Sequence, residues 1–368
     1  MGRLITKAMP LVVTIVCCTL MAAANPLAAV ENDAPRTASS EPFLLAPPKE
    51  AGPVVVRVRF ELHDVNEIND GAETFEFAGV LMLRWHDPRQ AFDPALAGVD
   101  EKIFQGGYQF NELSTGWYPQ VVLVNESGLY QKNGVVQRVQ PDGTSTLIET
   151  LNASAETEFD MSRFPFDRHR LEAVFEVLGF DQDEVVLQVE SDAASSLAGE
   201  VRVPQWSITG ASVSVRDRSA FYAGRRGVSS AFIVSIDVQR ESFYANRLVT
   251  IPLVVIVLLS FSVFWMDRST LGDRLSVSFI GILTGVAYQL VTSDHLPRIS
   301  YVTLMHGFLN LSFLTMCATV VINLVVGALD QRGKVELADR IDRGCRWGFP
   351  LVYFGLMLVM VGVTMVFF

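Results

Sequence analysis

The chain has 368 residues, half of them hydrophobic, and a formal net charge of −11 at pH 7. A chain this acidic is a poor partner for nucleic acid, whose phosphates attract basic surfaces. Four cysteines are too few for a disulfide-rich secreted scaffold. The apolar residues cluster towards the C-terminus, which indicates membrane segments beside a separate folded domain.

The N-terminus has the features of an exported protein. Residues 1–29 are predicted to be a secretory signal peptide, because Arg3 and Lys7 precede a short apolar run that ends in small residues. Residues 30–53 are rich in proline, alanine, serine and charge, and are predicted to form a disordered leader.

The sequence pattern of residues 54–240 predicts many short β-strands, without amphipathic helices of a length comparable to those strands. This pattern favours an extracellular antiparallel β-sandwich of the immunoglobulin-like kind, held by packing alone because the segment has no cysteine. The predicted strands are 54–62, 75–85, 121–124, 135–139, 147–151, 185–189, 206–215 and 229–238. Residues 31–239 hold 32 acidic against 17 basic side chains, a net charge of −15, which would attract cations or simply keep the domain soluble.

Residues 241–368 predict a transmembrane domain of four helices. The expected spans are about residues 247–266, 272–293, 301–329 and 346–368. The first and third links carry several basic residues, whereas the middle link has only Arg298. Because positive residues stay inside, the sandwich and the C-terminus are both expected outside.

The second span carries a stripe with polar ends. Steps of three and four residues bring seven side chains to one helical face: Asp273, Ser276, Ile280, Leu283, Ala287, Leu290 and Asp294. Carboxylates at the rims of an apolar stretch suit a cation pore, because charged rings attract cations and an apolar constriction closes by dewetting. One helix cannot enclose a pore, so this hypothesis requires a ring of identical subunits. The alternative is a stripe facing the core of an ordinary polytopic protein.

Residue arrangements typical of catalysis are absent. The five histidines form no i,i+4 pair and have no cysteine neighbour, and no glycine-rich phosphate loop or nucleophile–base pair is found. The sequence therefore predicts a protein that is not an enzyme and needs no cofactor or metal. Since no span carries an arginine ladder, voltage gating is excluded.

Four short motifs follow one another in a distinctive order. They are Trp-His-Asp-Pro-Arg at 85–89, Trp-Tyr-Pro at 117–119, Phe-Pro-Phe-Asp at 164–167 and Gly-Asp-Arg-Leu-Ser at 272–276. Together they resemble the pentameric ligand-gated ion channels, the Cys-loop receptor superfamily, in its prokaryotic branch. Thr157 and Leu171 stand where animal members carry the bridging cysteines.

The resemblance implies five copies around an axis, each with a sandwich above four helices and the second helix lining the pore. Asp273, in place of the family's glutamate, then implies an inner carboxylate ring and cation selectivity. Leu283 takes the position of the central leucine, and Ile280 departs from the hydroxyl that is common in animal members. The implied partners are four identical subunits, monovalent cations and the bilayer of a bacterial inner membrane, with the sandwich on the periplasmic side.

The resemblance also implies a coupling region between the sandwich and the pore. Asp70, Asp167 and Arg240 match a charged cluster at the domain junction. The remaining expected coupling residues are Glu73, Phe164, Pro165, Phe166 and Pro297.

For the agonist, the family uses a cage of aromatic rings between subunits, which suits an ammonium ion. Here Val80, Val124 and Leu178 stand at expected aromatic positions, while Glu176, Phe180, Phe221 and Tyr222 would hold a small primary amine, as in the amine-gated bacterial members. Ordinary sandwich packing is the alternative for each.

A second trigger is open, because the turn with Asp70 and Glu73 also resembles that of proton-gated members. His295 in the outer link is another candidate pH sensor. A membrane-anchored sensor module without conductance remains a competing hypothesis. A transporter is disfavoured, since four spans show neither internal repeats nor carboxylates at mid-depth.

Overall fold

The computed structural model describes residues 46–48, 52–108, 116–190, 201, 203–220, 222–223, 227–267, 271–293 and 301–367. The predicted signal peptide and most of the predicted leader lie outside these residues. The same holds for four candidate site residues, namely Phe221, Asp294, His295 and Pro297.

Ten strands within the described residues form two sheets. The strands are β1 (Val54–Asn69), β2 (Thr74–His86), β3 (Lys102–Gln105), β4 (Val121–Leu123), β5 (Glu126–Val139), β6 (Thr144–Glu156), β7 (Arg168–Val177), β8 (Val185–Val189), β9 (Trp206–Ser219) and β10 (Val228–Arg240). One sheet has the order β3-β5-β6-β2-β1-β8, and the other has the order β4-β7-β10-β9. Short helical turns lie at Pro94–Ala97, Gly106–Tyr108 and Ser242–Ala245.

Aromatic side chains join the two sheets. Phe60 and Phe77 project from the six-stranded sheet towards Phe175 of the four-stranded sheet, with ring centroids 6.0 and 6.5 Å from Phe175. Strand β1 alternates buried and exposed positions, as expected for a sheet with one face in the core. At Gly79 a Cβ atom would lie 2.4 Å from Phe60 Cζ and 2.7 Å from the Glu61 carbonyl oxygen, so only glycine fits beside the bulge of β1.

The sandwich departs from the sequence prediction in two respects. Strands β1 and β8 pair in parallel, whereas every other named pair is antiparallel. Strands β3 and β7 were not predicted. Strand β7 escapes a pattern search because His169 and Glu176 are buried polar residues, so polarity does not mark its solvent face.

In the part of the chain that the structure describes, four long apolar helices follow the sandwich, each long enough to cross a membrane. They are α1 (Asn246–Trp265), α2 (Leu271–Thr292), α3 (Leu304–Gln331) and α4 (Val335–Phe367). Helix α1 begins with a π-helical turn and ends in a 3-10 turn. Helix α4 begins well before the predicted span at residue 346, so much of the expected basic link is helical.

Contacts along the chain fix the two ends of the bundle. The Leu304 amide at the start of α3 donates to the Ser162 carbonyl oxygen of the sandwich, 3.0 Å away. At the other end of α3, a Cβ atom on Gly327 would meet the Leu271 side chain at 2.7 Å. Helix α2 therefore starts at the end of the bundle remote from the sandwich and runs back towards it.

Candidate functional site

The stripe predicted for the second span is exposed on α2. All six of its described members are exposed: Asp273, Ser276, Ile280, Leu283, Ala287 and Leu290. Leu283 and Leu290 expose 70% and 69% of their surface. The opposite face is buried at Arg274, Ser278, Gly285 and Thr292. The helices of the subunit itself therefore leave this stripe exposed. It begins with a carboxylate and a hydroxyl and continues with four apolar side chains.

Polar contacts anchor the other face of α2 to its neighbours. The Tyr288 hydroxyl donates to the Leu248 carbonyl oxygen of α1. The Asn323 side-chain amide of α3 donates to the Ser278 hydroxyl, 3.1 Å away. Because a hydrogen bond between helices has no competing water in the bilayer core, these contacts fix the rotation of α2.

Four of the expected coupling residues, including Phe164, meet where the sandwich joins the bundle. Arg240, the last residue of β10, places Nε 2.9 Å from Asp167 Oδ1 and Nη2 2.9 Å from Asp70 Oδ2. Its guanidinium carbon lies 4.1 Å from the Trp206 ring centroid and 4.8 Å from that of Phe164. A planar cation between rings and carboxylates is held in one orientation.

His169 also contacts the Asp167 carboxylate, with Nε2 2.6 Å from Oδ2. Burial on its own would raise the pKa of Asp167, but hydrogen bonds from His169 and Arg240 and the charge of Arg240 outweigh it, so that pKa lies below its ordinary value. Sequence analysis missed His169, although its period-two spacing with Leu171 placed both side chains on the core face of β7.

The loop that precedes β7 docks on the start of α3. Tyr301 links the two, since its hydroxyl accepts from the Met161 amide at 2.8 Å and donates to the Phe159 carbonyl oxygen at 3.2 Å. Phe164 is buried in this loop and joined to Pro165 by a cis peptide bond, whereas Phe166 is 42% exposed. Sequence analysis did not find Tyr301.

Glu73 stands apart from this charged cluster. It is exposed, has a φ of 56°, and contributes its backbone carbonyl oxygen to the Thr157 amide at 2.9 Å.

Glu176 is the most distinctive of the predicted agonist residues. It lies on β7 opposite Val122 of β4 and Ala231 of β10, and is 1% exposed. Its Oε1 atom has no hydrogen-bond partner within the described structure. A buried carboxyl oxygen without a partner is costly, which sets Glu176 apart from the other predicted agonist residues.

The other predicted agonist residues have diverse surroundings. Val124 packs against Val174, Ala231 and Ile233 on the face of the four-stranded sheet away from the core, and Val80 faces away from the core on β2. Phe180 packs edge-on against Trp117, with ring centroids 5.9 Å apart. This contact is core packing. Strand β7 ends at Val177, so strand alternation does not place Leu178 and Phe180 on the face of Glu176.

The segment near Tyr222 approaches the end of β7. The Tyr222 carbonyl oxygen accepts from the Gly179 amide at 3.1 Å, which brings this hairpin beside the turn after Glu176. Among the described residues, no group of three or more histidine, cysteine or acidic side chains could hold a metal ion.

Comparisons with known proteins agree with this architecture. Residues 43–242 match the neurotransmitter-gated ion-channel ligand binding domain, and residues 249–337 match the neurotransmitter-gated ion-channel transmembrane region. The chain belongs to this family, the pentameric ligand-gated ion channels.

Individual channels of the family differ in trigger and ion. A proton-gated ion channel of Gloeobacter violaceus is 26% identical over 83% of this chain and 82% of its own length. A pH-sensitive chloride channel 2 of Anopheles gambiae is 24% identical over 68% of this chain, and a gamma-aminobutyric acid receptor subunit gamma-4 of Gallus gallus is 26% identical over 66%. The chain spans 42% and 53% of the length of these two animal relatives.

Membership of the channel family bears on the exposed stripe of α2. Five subunits assemble in this family, so an exposed helical face of one subunit has three possible surroundings: a neighbouring subunit, lipid or the central axis. Phe279 and Val291 are also exposed on α2, on flanks beside the stripe, as expected where adjacent subunits pack.

Proposed function

We propose that this channel is a homopentamer that conducts cations through a pore lined by α2. One observation carries the proposal: the stripe from Asp273 to Leu290 is the exposed face of an otherwise anchored helix. A ring of carboxylates at its start attracts cations and repels anions, and the apolar side chains above it form a gate that closes by dewetting. Asp294 and Pro297 are proposed for the outer end of the same pathway.

The ion specificity is tested by reversal potentials in bilayers that contain the purified protein, under opposed sodium and chloride gradients. Wild-type current is expected to reverse near the sodium potential, and Asp273→Lys is expected to move the reversal towards the chloride potential. A wild-type reversal at the chloride potential would contradict cation selectivity. If no current is found with any amine or at any pH, a sensor module without conductance becomes the better description.

We propose a small primary amine as the agonist, bound between subunits beside Glu176. A primary ammonium offers three donors, and Oε1 of Glu176 is a buried acceptor without a partner in the described structure. Tyr222 lies in the segment beside it, and Val124 packs on the same face of the sheet, while Phe221 is proposed to contribute a ring and Val80 of the adjacent subunit would close the site. Leu178 and Phe180 support it from the turn after β7.

Glu176→Gln tests this agonist, because it keeps the shape of the side chain and removes its charge. The concentration of a primary amine that gives half-maximal current is expected to rise by about tenfold or more, since a charge-assisted hydrogen bond contributes roughly 1.5–3 kcal/mol. Glu172→Gln is the matched control, because Glu172 lies on the same face of β7 but pairs with Arg216. Equal amine sensitivity in both variants would remove Glu176 from the agonist site.

Proton gating is the second candidate trigger. It is favoured by the buried contact between His169 and Asp167 at the coupling region, because histidine is the residue type that gains charge between pH 8 and 5. Current evoked by acid alone, and abolished by His169→Gln while amine responses persist, would establish protons as a trigger. Asp70 and Glu73 are the further candidates for this role.

We also place the protein in a bacterial inner membrane, with the sandwich and C-terminus on the periplasmic side. Cysteines introduced at exposed Asp93 and Arg343 are expected to react with an impermeant thiol reagent from opposite faces. Reaction of both from the same face would contradict the orientation.

A further inference from the structure

At the start of α2, the sequence places an acidic and a basic residue side by side. Asp273 and Arg274 together would give the inner end of the pore no net charge. The structure separates them, because Asp273 is exposed on the stripe whereas Arg274 is 1% exposed on the opposite side of the helix.

Arg274 is enclosed by the ends of two other helices. Its Nη2 lies 2.5 Å from Oδ1 of Asp342 on α4, and its Nε donates to the Val263 carbonyl oxygen of α1 at 3.1 Å. Asp342 is itself buried. A second cation, Arg346, lies 3.7 Å from the other Asp342 oxygen and donates from Nε to the Phe264 carbonyl oxygen at 3.0 Å.

This cluster therefore holds two positive charges and one negative charge behind each Asp273. Removing the Asp342 carboxylate would leave both cations without the carboxylate that they share. Five copies of that change would surround the axis of a pentamer, just behind the proposed carboxylate ring.

We propose that Asp342, on a helix that does not line the pore, determines ion selectivity by neutralising Arg274 within each subunit. Asp273 is then the dominant charge at the inner mouth. Asp342 touches no permeating ion and acts through Arg274. The inference rests on the proposed cation pore and adds to it a residue that the stripe of α2 does not contain.

The test is the sodium-to-chloride permeability ratio of wild-type, Asp342→Asn and Arg274→Gln/Asp342→Asn channels. For five charges, one per subunit, each about 10 Å from the ion path and screened by water and salt, Asp342→Asn is expected to lower the ratio by about tenfold. The double variant returns the net charge of the cluster to its wild-type value and is expected to return the ratio to that of wild type. A merely structural role would change the amount of channel or its open fraction, but not the reversal potential.

Asp339→Asn is the matched control. Asp339 lies one turn earlier on α4, has a side chain that is 45% exposed, and pairs with Arg343 at 3.4 Å, so the same loss of charge there is expected to leave the ratio unchanged. An unchanged ratio in Asp342→Asn, or equal effects of Asp342→Asn and the double variant, would overturn the proposal.

If Asp342→Asn does not assemble, Arg346→Gln takes its place. This variant removes one cation from the same cluster and is expected to raise the ratio; an unchanged ratio would count against the proposal. The wild-type reversal potential tests cation selectivity by itself, and the shifts between variants test Asp342. The two failures are therefore distinguishable.

Discussion

At the scale of single residues, Arg240 is the common partner in the charged cluster where the sandwich joins the bundle. Its guanidinium is shared between a buried carboxylate, Asp167, and a carboxylate that is one-third exposed, Asp70. Because Asp167 has a lowered pKa, its pairing stabilises the folded state above the ordinary aspartate pKa of about 4 and is lost as the pH falls through the lowered value. The ion pair therefore persists at mildly acidic pH, so Asp167 is not the group that would respond to a modest drop in pH.

These two carboxylates are expected to differ when each is removed. Asp167→Asn leaves a buried guanidinium with one partner fewer, and is expected to lower the free energy of unfolding of the sandwich by about 3–5 kcal/mol. Asp70→Asn affects a partly exposed pair and is expected to cost about 1 kcal/mol or less. Thermal unfolding of the purified channel at neutral pH measures both, and equal losses would show that burial does not govern this cluster.

At the scale of the helix, the sequence predicted the position of α2 well but its charges incompletely. A period of 3.6 residues identified the stripe from Asp273 to Leu290, because it depends only on the chain's own geometry. The pairing of Arg274 with Asp342 joins residues far apart in sequence, and no local pattern reveals it.

The strands, too, divide into features that the local sequence predicts and features that depend on contacts distant in sequence. Strand β1 alternates clearly and was predicted, whereas β7 carries the buried polar residues His169 and Glu176, which obscure its core face in the sequence. The charged junction was expected from motif resemblance. The stacking of Arg240 on Trp206, by contrast, needed the pairing of β9 with β10.

The apolar part of the stripe gives a prediction for gating. Leu283→Ser is expected to produce current without agonist, because a ring of hydroxyls stays hydrated where a ring of leucines dewets. If each of five leucines contributed only about 0.3 kcal/mol to the closed state, the open-to-closed ratio would rise roughly tenfold. Leu275→Ser is the matched control, because Leu275 is half-buried beside the stripe. Resting current in both variants would point to general loosening of α2.

At the scale of the whole molecule, charge is divided between the two domains. Residues 31–239 carry a net charge of −15, whereas residues 247–368 hold 7 acidic against 9 basic side chains, a net charge of +2. In a pentamer, five acidic domains would surround the entrance to one pore. A concentrated negative potential raises the local concentration of cations over a distance set by the ionic strength, about 30 Å at 0.01 M and 3 Å at 1 M salt.

Single-channel conductance across a salt series tests this arrangement. At low salt the conductance is expected to fall less than in proportion to the bulk sodium concentration, because the acidic entrance retains cations; near 1 M it is expected to follow the bulk concentration. Asp273→Asn separates the two sources of charge, since it weakens the inner ring and leaves the sandwich intact. If sub-proportional behaviour persists in that variant for inward sodium current, the sandwich supplies the potential. Strict proportionality in both channels would mean that the acidic residues serve solubility and play no part in conduction.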